Sequence, residues 1–168
     1  APRIAPGDAT IRHSGGSLAT FGETSHAAMA VVRSVDAALS ISELLVGGST
    51  AGATVRVELT RPGSGARVTT NGAGSHAILA ESSAGRGVDG SPGRALLSGT
   101  GGGAGTLGGS SGDVIVTTDY GLLTAGEGST ALVARSRAGD GGKGGDAPDF
   151  TRALNGGNGG AGGDSGRV

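Results

Sequence analysis

The sequence predicts an all-β fold: a parallel β-helix (solenoid) with glycine-rich arms. Two observations predict it: a thirteen-residue block recurs three times without gaps, and 38 of the 168 residues are glycine. A helical bundle would hold these glycines at a cost of about 1 kcal/mol each relative to alanine, so it is disfavoured. A left-handed hexapeptide helix is the competing solenoid, but no six-residue period is visible.

The recurring block starts at Leu18, Val68 and Leu122, so successive copies are separated by nearly equal intervals. Repeat architectures bury their apolar faces by stacking copies, so equivalent positions should meet in neighbouring units. The block predicts an alanine ladder at a crowded corner (Ala27, Ala77, Ala131) and interior positions (Leu18, Val68, Leu122; Ala28, Ile78, Leu132). It also predicts turn conformations that a Cβ disfavours at three glycines (Gly22, Gly72, Gly126).

Each unit begins with a β-branched, alternating run that predicts a strand, at residues 10–12, 55–59 and 114–118. Two further strands are expected within the block, one on each side of its Gly-Ser turn. Small apolar tracts at 38–41, 95–97 and 153–154 predict short strands between glycine-rich stretches, although residues 32–45 also fit one local helix. The final residues 159–168 resemble the lead-in to the third strand at 108–114. The chain is therefore expected to be one segment, 1–168, of about three units, roughly 1–50, 51–108 and 109–168.

The glycine-rich arms have a specific conformational option. Gly-Gly-x tracts can form extended polyproline II helices with three residues per turn, whose bare faces pack side by side or against a partner chain. Ordering so much glycine costs conformational entropy. The arm from Gly139 to Gly145 is therefore expected to be among the most mobile parts of the chain.

Composition excludes several classes of function. The net charge is -1 and no basic run occurs, so a nucleic-acid partner is not expected. No apolar run approaches the roughly 18 residues of a membrane-spanning helix. The absence of cysteine removes disulfides, zinc-finger spacings and thiol chemistry.

No catalytic residue and no cofactor site is predicted. His26 and His76 occupy equivalent positions and, with two coils per unit at a spacing of about 4.8 Å, would lie about 10 Å apart, too far to share a metal ion. Neighbouring residues on a strand point to opposite faces, so the Ser-His pairs at 25–26 and 75–76 do not predict a nucleophile. The serines of the block (Ser25, Ser75, Ser129) are expected to form turn hydrogen bonds.

Two stretches match the first six positions of the calcium-binding nonapeptide GGxGxDxUx, at 141–146 and 159–164. They make Asp146 and Asp164 the candidate calcium ligands. The apolar eighth position is Pro148 in one and Gly166 in the other, and the motif does not run in tandem. Simple glycine-rich loops are the favoured interpretation.

The third unit carries the clearest resemblance to a known family. It resembles the glycine-rich repeat of bacterial autotransporter (type V secretion) passenger domains. The resemblance covers Gly112-Asp113-Val114 with its strand, the stretch from Leu122 to Ser136, and the arm 139–145. The second unit follows this plan with an insertion at 61–65, and the first lacks most of its arm. Two departures are that alanine stands where the family often has glycine (Ala27, Ala77, Ala131) and that the polyglycine arms are interrupted.

The resemblance implies a right-handed parallel β-helix, displayed on the bacterial cell surface or secreted, within a longer passenger that has a signal peptide and a C-terminal outer-membrane barrel. It implies a non-enzymatic stalk or adhesin segment with a host or cell-surface ligand. The first alternative is a structural protein that self-associates through its β-helix ends or glycine-rich arms. The second is a polysaccharide-acting enzyme, which would need clustered acids and an Arg or Lys in a groove.

Overall fold

The computed structural model describes residues 8–14, 17–21, 24, 26–33, 53–60, 65–93, 101–147 and 155–168. These residues form an all-β fold with nine strands and no helix. The strands are β1 (Ala9–His13), β2 (Leu18–Thr20), β3 (Ala28–Arg33), β4 (Val55–Leu59), β5 (Arg67–Thr70), β6 (Ile78–Ser83), β7 (Val114–Thr118), β8 (Gly121–Thr124) and β9 (Leu132–Arg137). The expected short strands at 38–41, 95–97 and 153–154 lie outside the described residues, as does the helical alternative at 32–45 apart from its first two residues, which end β3.

Each predicted unit contributes one strand to each of three parallel sheets. Their strand orders are β1-β4-β7, β2-β5-β8 and β3-β6-β9. The pairing aligns Leu18 with Val68 and Val68 with Leu122, which is the register that the recurring block predicts. The sequence repeat and the stacking repeat are therefore the same.

The strand alternation places one core between the inner faces of the sheets. In β4, Val55, Val57 and Leu59 are fully buried, while Arg56 and Glu58 point outward and are half-buried. Val68 and Ile78, in the other two sheets, complete this part of the core. The middle unit is buried on both sides because a unit stacks above and below it.

The predicted interior positions are buried in the middle unit and less so in the outer ones. Ala77 and Ile78 are fully buried, and their first-unit equivalents are half-buried or buried. Leu132 departs from the prediction, since it is 41% exposed. It lies in β9, an outer strand of its sheet, so no described strand covers its outer edge.

The turn in the block differs from the prediction at its glycines. Gly72 and Gly126 do not have positive φ; the left-handed conformation falls two residues later, on Gly74 and Gly128. Gly126 is required for stacking instead, because a Cβ there would overlap the carbonyl oxygen of Gly72 in the unit below. Gly22 lies outside the described residues.

Beyond the sheets, four extended segments form a bundle that we call the arms: arm 1 (residues 84–93), arm 2 (101–112), arm 3 (138–147) and arm 4 (155–166). None of them is a strand or a helix, yet backbone hydrogen bonds join them at every third residue. The N–H groups of Gly87 and Gly90 in arm 1, for example, donate to the carbonyls of Asp140 and Lys143 in arm 3. A three-residue period is that of polyproline II.

Equivalent arms of successive units pack parallel, and arms that follow one another along the chain pack antiparallel. Arm 1 lies parallel to arm 3 and arm 2 lies parallel to arm 4, whereas arms 1 and 2, 2 and 3, and 3 and 4 run antiparallel. Arm 3 is bonded to all three others, and its Gly139, Gly142 and Gly145 are buried. The segment for which the glycine content predicts mobility thus lies at the centre of the bundle.

Replacing Gly142 by alanine is expected to lower the free energy of unfolding by about 1–3 kcal/mol, the usual range for forcing extra volume into a packed site. The reason is that a Cβ at Gly142 would overlap the carbonyl oxygen of Val88. Urea unfolding followed by circular dichroism measures the change. Gly162→Ala is the control, because the nearest atom to its Cβ would be the Gly139 carbonyl oxygen at 3.6 Å. Equal losses in both variants would contradict the arm packing.

Hydrogen exchange within arm 3 is expected to alternate. The amides of Gly139, Gly142 and Gly145 donate to arm 2, whereas those of Gly141 and Gly144 have no acceptor among the described residues. At low protein concentration the first group should therefore exchange at least about tenfold more slowly, since exchange requires the hydrogen bond to open. Amide-resolved NMR measures this, and uniformly fast exchange would show that the arm is mobile, as the glycine content predicts.

Candidate functional site: the histidine ladder and the arm bundle

His26 and His76 lie just before β3 and β6, at the corner where the chain enters the third sheet. Their rings stack face to face, with centroids 5.1 Å apart and planes inclined by 1°. The expected separation of about 10 Å is therefore wrong. Each unit contributes one strand to each sheet, so equivalent residues in neighbouring units are separated by a single strand spacing.

Both rings accept a backbone hydrogen bond from the next unit. The N–H of His76 donates to Nδ1 of His26, and the N–H of Thr130 donates to Nδ1 of His76, each at 3.0 Å. An Nδ1 that accepts must carry no proton, so in the neutral rings the hydrogen is on Nε2. The histidines thus form a ladder in which each ring satisfies the backbone of the unit above it.

The environment of His26 favours its neutral form. Burial, and secondarily the proximity of His76, lower the pKa of His26 below its ordinary value of 6.5. Protonation would place a hydrogen on Nδ1, which would then face the N–H of His76 as donor against donor. The hydrogen-bond geometry and the lowered pKa of His26 therefore both favour the neutral ring.

The described residues do not assemble a metal centre. No group of three or more His, Asp or Glu side chains is placed to hold an ion among them. The parallel His26 and His76 rings cannot converge on one ion, because stacked planes direct their Nε2 atoms side by side. Of the calcium candidates, Asp146 lies exposed in arm 3 and Asp164 exposed in arm 4. Their backbone carbonyls take part in the hydrogen bonds between arms: that of Asp146 accepts the N–H of Gly93, and that of Asp164 accepts the N–H of Ser111.

The block serines form the expected turn bonds and also connect units. The N–H groups of Ser75 and Ser129 donate to the carbonyls of Gly72 and Gly126 within their own turns. The hydroxyl of Ser129 also accepts the N–H of Ser75 at 2.9 Å and donates to the carbonyl of Gly72 at 2.9 Å. Ser75 is fully buried and His76 is half-buried, and both precede β6, so they are not neighbours on a strand. Ser25 lies outside the described residues.

A second pair of serines, which the sequence analysis missed, joins the end of the third strand to the start of the next unit. The buried hydroxyl of Ser82 donates to the carbonyl of Ala53 at 2.8 Å and accepts the N–H of Gly112 at 3.0 Å. Ser136 repeats this arrangement with the carbonyl of Gly112 and the N–H of Gly166. The two serines are separated by the same interval as the second and third copies of the block, and this was the signal that could have identified them.

Side-chain acceptors that bond the backbone of the next unit recur along the chain. Asp8 accepts the N–H of Thr54 just before β4, and Asp113 accepts the N–H of Arg167 at 2.8 Å. Asp89 does the same for Lys143 in the arms. These aspartates, like the histidines, therefore hold neighbouring units in register.

Charged side chains line the outer positions of arms 1 and 3. Arg86 and Asp89 form an exposed ion pair at 2.6 Å. A shallow open cleft beside them is lined by Asp89, Pro92, Lys143 and Asp146, with arm glycines as its floor. Every third residue of the arms faces outward, so the bundle displays side chains at regular intervals.

No protein-family model, curated protein or solved structure matches this chain. In the part of the chain that the structure describes, no helix is long and apolar enough to cross a membrane.

Acidification is expected to weaken the histidine ladder. Because the pKa of His26 is below 6.5 in the folded chain, the unfolded chain binds protons more readily. The stability that His26 contributes is therefore complete above pH 6.5 and is lost as the pH falls through the lowered pKa. Loss of its hydrogen bond should reduce the free energy of unfolding by about 1 kcal/mol. Urea unfolding at about pH 8 and pH 5 measures this change.

The control is His26→Thr, the residue that the third unit carries at the equivalent Thr130. This variant removes the titrating ring, so the difference in stability between the two pH values should become smaller. The same pH dependence in both proteins would mean that the ladder does not titrate.

Proposed function

We propose that the chain is a non-enzymatic segment of a surface-displayed or secreted bacterial passenger, a right-handed parallel β-helix that acts as a stalk or adhesin. The observation that carries the proposal is the constant stacking of equivalent residues: three parallel sheets, each built from one strand of every unit in the same order. A chain of this kind grows in one direction, since each unit contacts only its neighbours.

Lengthening by repetition suits a spacer. Each unit adds one strand to every sheet, which corresponds to a rise of about 4.8 Å per unit. The bonds that hold the units together are internal to the stack, such as the one from Thr130 to His76, so adding units does not require a larger core. Because added units need no larger core, the fold suits a stalk that is lengthened by adding repeats.

The arms support the adhesive part of the proposal. They leave the sheets after β6 and β9 and present side chains at every third residue. Arg86, Asp89, Lys143 and Asp146 give one face of the bundle a mixed and closely spaced set of charges. Such a face suits polar recognition of a host or cell-surface ligand, with the sheets as its rigid support.

Two features of the sequence support export of the chain across the periplasm by type V secretion. They are the absence of cysteine and the resemblance of the third unit to autotransporter repeats. A chain that crosses the periplasm unfolded would encounter oxidising conditions, in which cysteines would pair. The parallel stacking also allows the fold to form unit by unit once the chain emerges, because folding of such arrays can start in one unit and propagate.

Cells that produce the native protein test the proposed location. Antibodies raised against this chain should label intact cells or be bound by the culture medium, and protease added outside the cells should remove the cell-associated signal. An antibody against a cytosolic protein of the same cells serves as the control and should label permeabilised cells only. Labelling by the chain-specific antibody only after permeabilisation would overturn the proposal.

A further inference from the structure

We propose that the charged outer face of arms 1 and 3 binds the same face of a second copy of this chain, with the arms of the two copies antiparallel. The inference holds whether or not the chain is displayed on a cell, so it does not rest on the proposed function. It follows from the order of the charges along arm 3, from their exposure, and from their lack of ion-pair partners among the described residues.

The charged face follows a three-residue period that begins at the end of β9. Four carbonyls in succession accept the N–H groups of Ala84 and of every third residue after it: those of Arg137, Asp140, Lys143 and Asp146. All four side chains are exposed. A polyproline II period directs every third side chain to one side, with about 9 Å between neighbours. We call these four side chains the charge row.

The signs of the charge row alternate. Arg137 and Lys143 are positive, whereas Asp140 and Asp146 are negative at neutral pH. Because the row has an even number of positions, its reverse has the opposite sign at every position. When two copies lie antiparallel, Arg137 therefore meets Asp146 of the second copy, and Asp140 meets Lys143. A parallel copy in the same register would place like charges together, so the charges select the antiparallel orientation.

Arm 1 repeats the alternation beside the charge row. Arg86 and Asp89 are the arm 1 equivalents of Asp140 and Lys143, one repeat earlier, and each has the opposite sign to its equivalent. In the antiparallel arrangement arm 1 faces arm 1, so Arg86 lies opposite Asp89 of the second copy. Both arms therefore favour the same orientation and the same register.

The charge row is not neutralised within the described chain. None of its four side chains forms an ion pair or a side-chain hydrogen bond among the described residues. In the sheets, by contrast, Arg135 faces Glu81 of the neighbouring unit at 3.2 Å. The charges that the arms display are thus available to a partner that offers the opposite signs at the same interval, and a second copy does so.

Arm 1 shows what the stacking of a further unit leaves exposed. Arm 3 of the next unit lies beside it, yet the side chains of Arg86 and Asp89 remain 43% and 50% exposed. Stacking joins equivalent arms side by side and leaves their outer side chains in solvent. A unit placed beyond arm 3 would therefore widen the charged face and would not cover it.

The contact has twofold symmetry, because both copies use the same face. Such a contact closes on itself, so association should stop at a dimer. Its ion pairs lie between exposed side chains, which salt screens. The dimer should therefore form most readily at low ionic strength.

Sedimentation velocity of the full chain tests the inference, at protein concentrations from about 10 μM to about 1 mM in about 20 mM salt. The wild type should shift from monomer to dimer as its concentration rises. Raising the salt to about 0.5 M should weaken this association at least about fivefold.

Charge reversal at the centre of the row tests the order of the charges. Asp140→Lys and Lys143→Asp each place like charges opposite one another in the dimer, so each variant alone should associate at least about tenfold more weakly than the wild type. An equimolar mixture of the two variants should form dimers again, because each new charge then faces an opposite charge on the other variant.

The matched control is Glu127→Lys, which changes the net charge as Asp140→Lys does. Glu127 is exposed in the turn before β9, whereas the arms follow β9. Its mixture with Lys143→Asp should not form dimers as the mixture of the two arm variants does. The unfolding midpoints of all variants in urea should match that of the wild type at low concentration, which separates association from folding.

A wild type that remains monomeric at low salt would overturn the inference. So would a single arm variant that associates as strongly as the wild type. If the mixture of the two arm variants associated no more strongly than the control mixture, net charge and not the order of the charges would drive association, which would also contradict the proposed contact.

Discussion

The parallel backbone pairing of each residue with its equivalent in the next unit is the constraint on which the rest of this structure depends. Val55 pairs with Val114, Val68 with Leu122 and Ile78 with Leu132, so all three sheets keep one register. Once that register is set, side chains at equivalent positions must lie above one another. The stacked histidines and the serines that bridge units are consequences of it.

Ladders of polar side chains stabilise the register more specifically than apolar packing can. The alternating apolar core opposes a one-residue slip but not a two-residue slip, whereas a ring nitrogen or hydroxyl oxygen must meet a particular N–H group. Surface ion pairs add to this: Arg12 faces Glu58 at 2.9 Å and Arg135 faces Glu81 at 3.2 Å, each across neighbouring units. Exposed pairs of this kind contribute about 0–1 kcal/mol each. The half-buried hydrogen bonds of the serines, such as that from Ser82 to Ala53, therefore matter more.

Much of this architecture could be predicted from the sequence. The strands β4 and β7 have the predicted bounds, and the intervals between the three copies of the block predicted the pairing of the second and third sheets. The histidine separation was wrong because the length of a unit does not reveal how many strands it adds to each sheet, and each unit adds one. The mobility expected of the arm at 139–145 was argued from the entropy of glycine in a single segment, whereas the structure joins four segments by hydrogen bonds.

The sequence by itself determined which residues are equivalent, because equivalence is written in the repeated block and needs no coordinates. It also determined that the chain is built of strands, since β-branched alternation and 38 glycines disfavour helix. Only the tertiary structure decided what the glycines do. Gly142 is required because arm 1 lies against it, whereas Gly162 has room for a methyl group. Both residues lie in similar glycine-rich stretches of the sequence. Their tolerance of a Cβ differs because it depends on which arm packs against each residue in the folded chain, and the sequence does not show that.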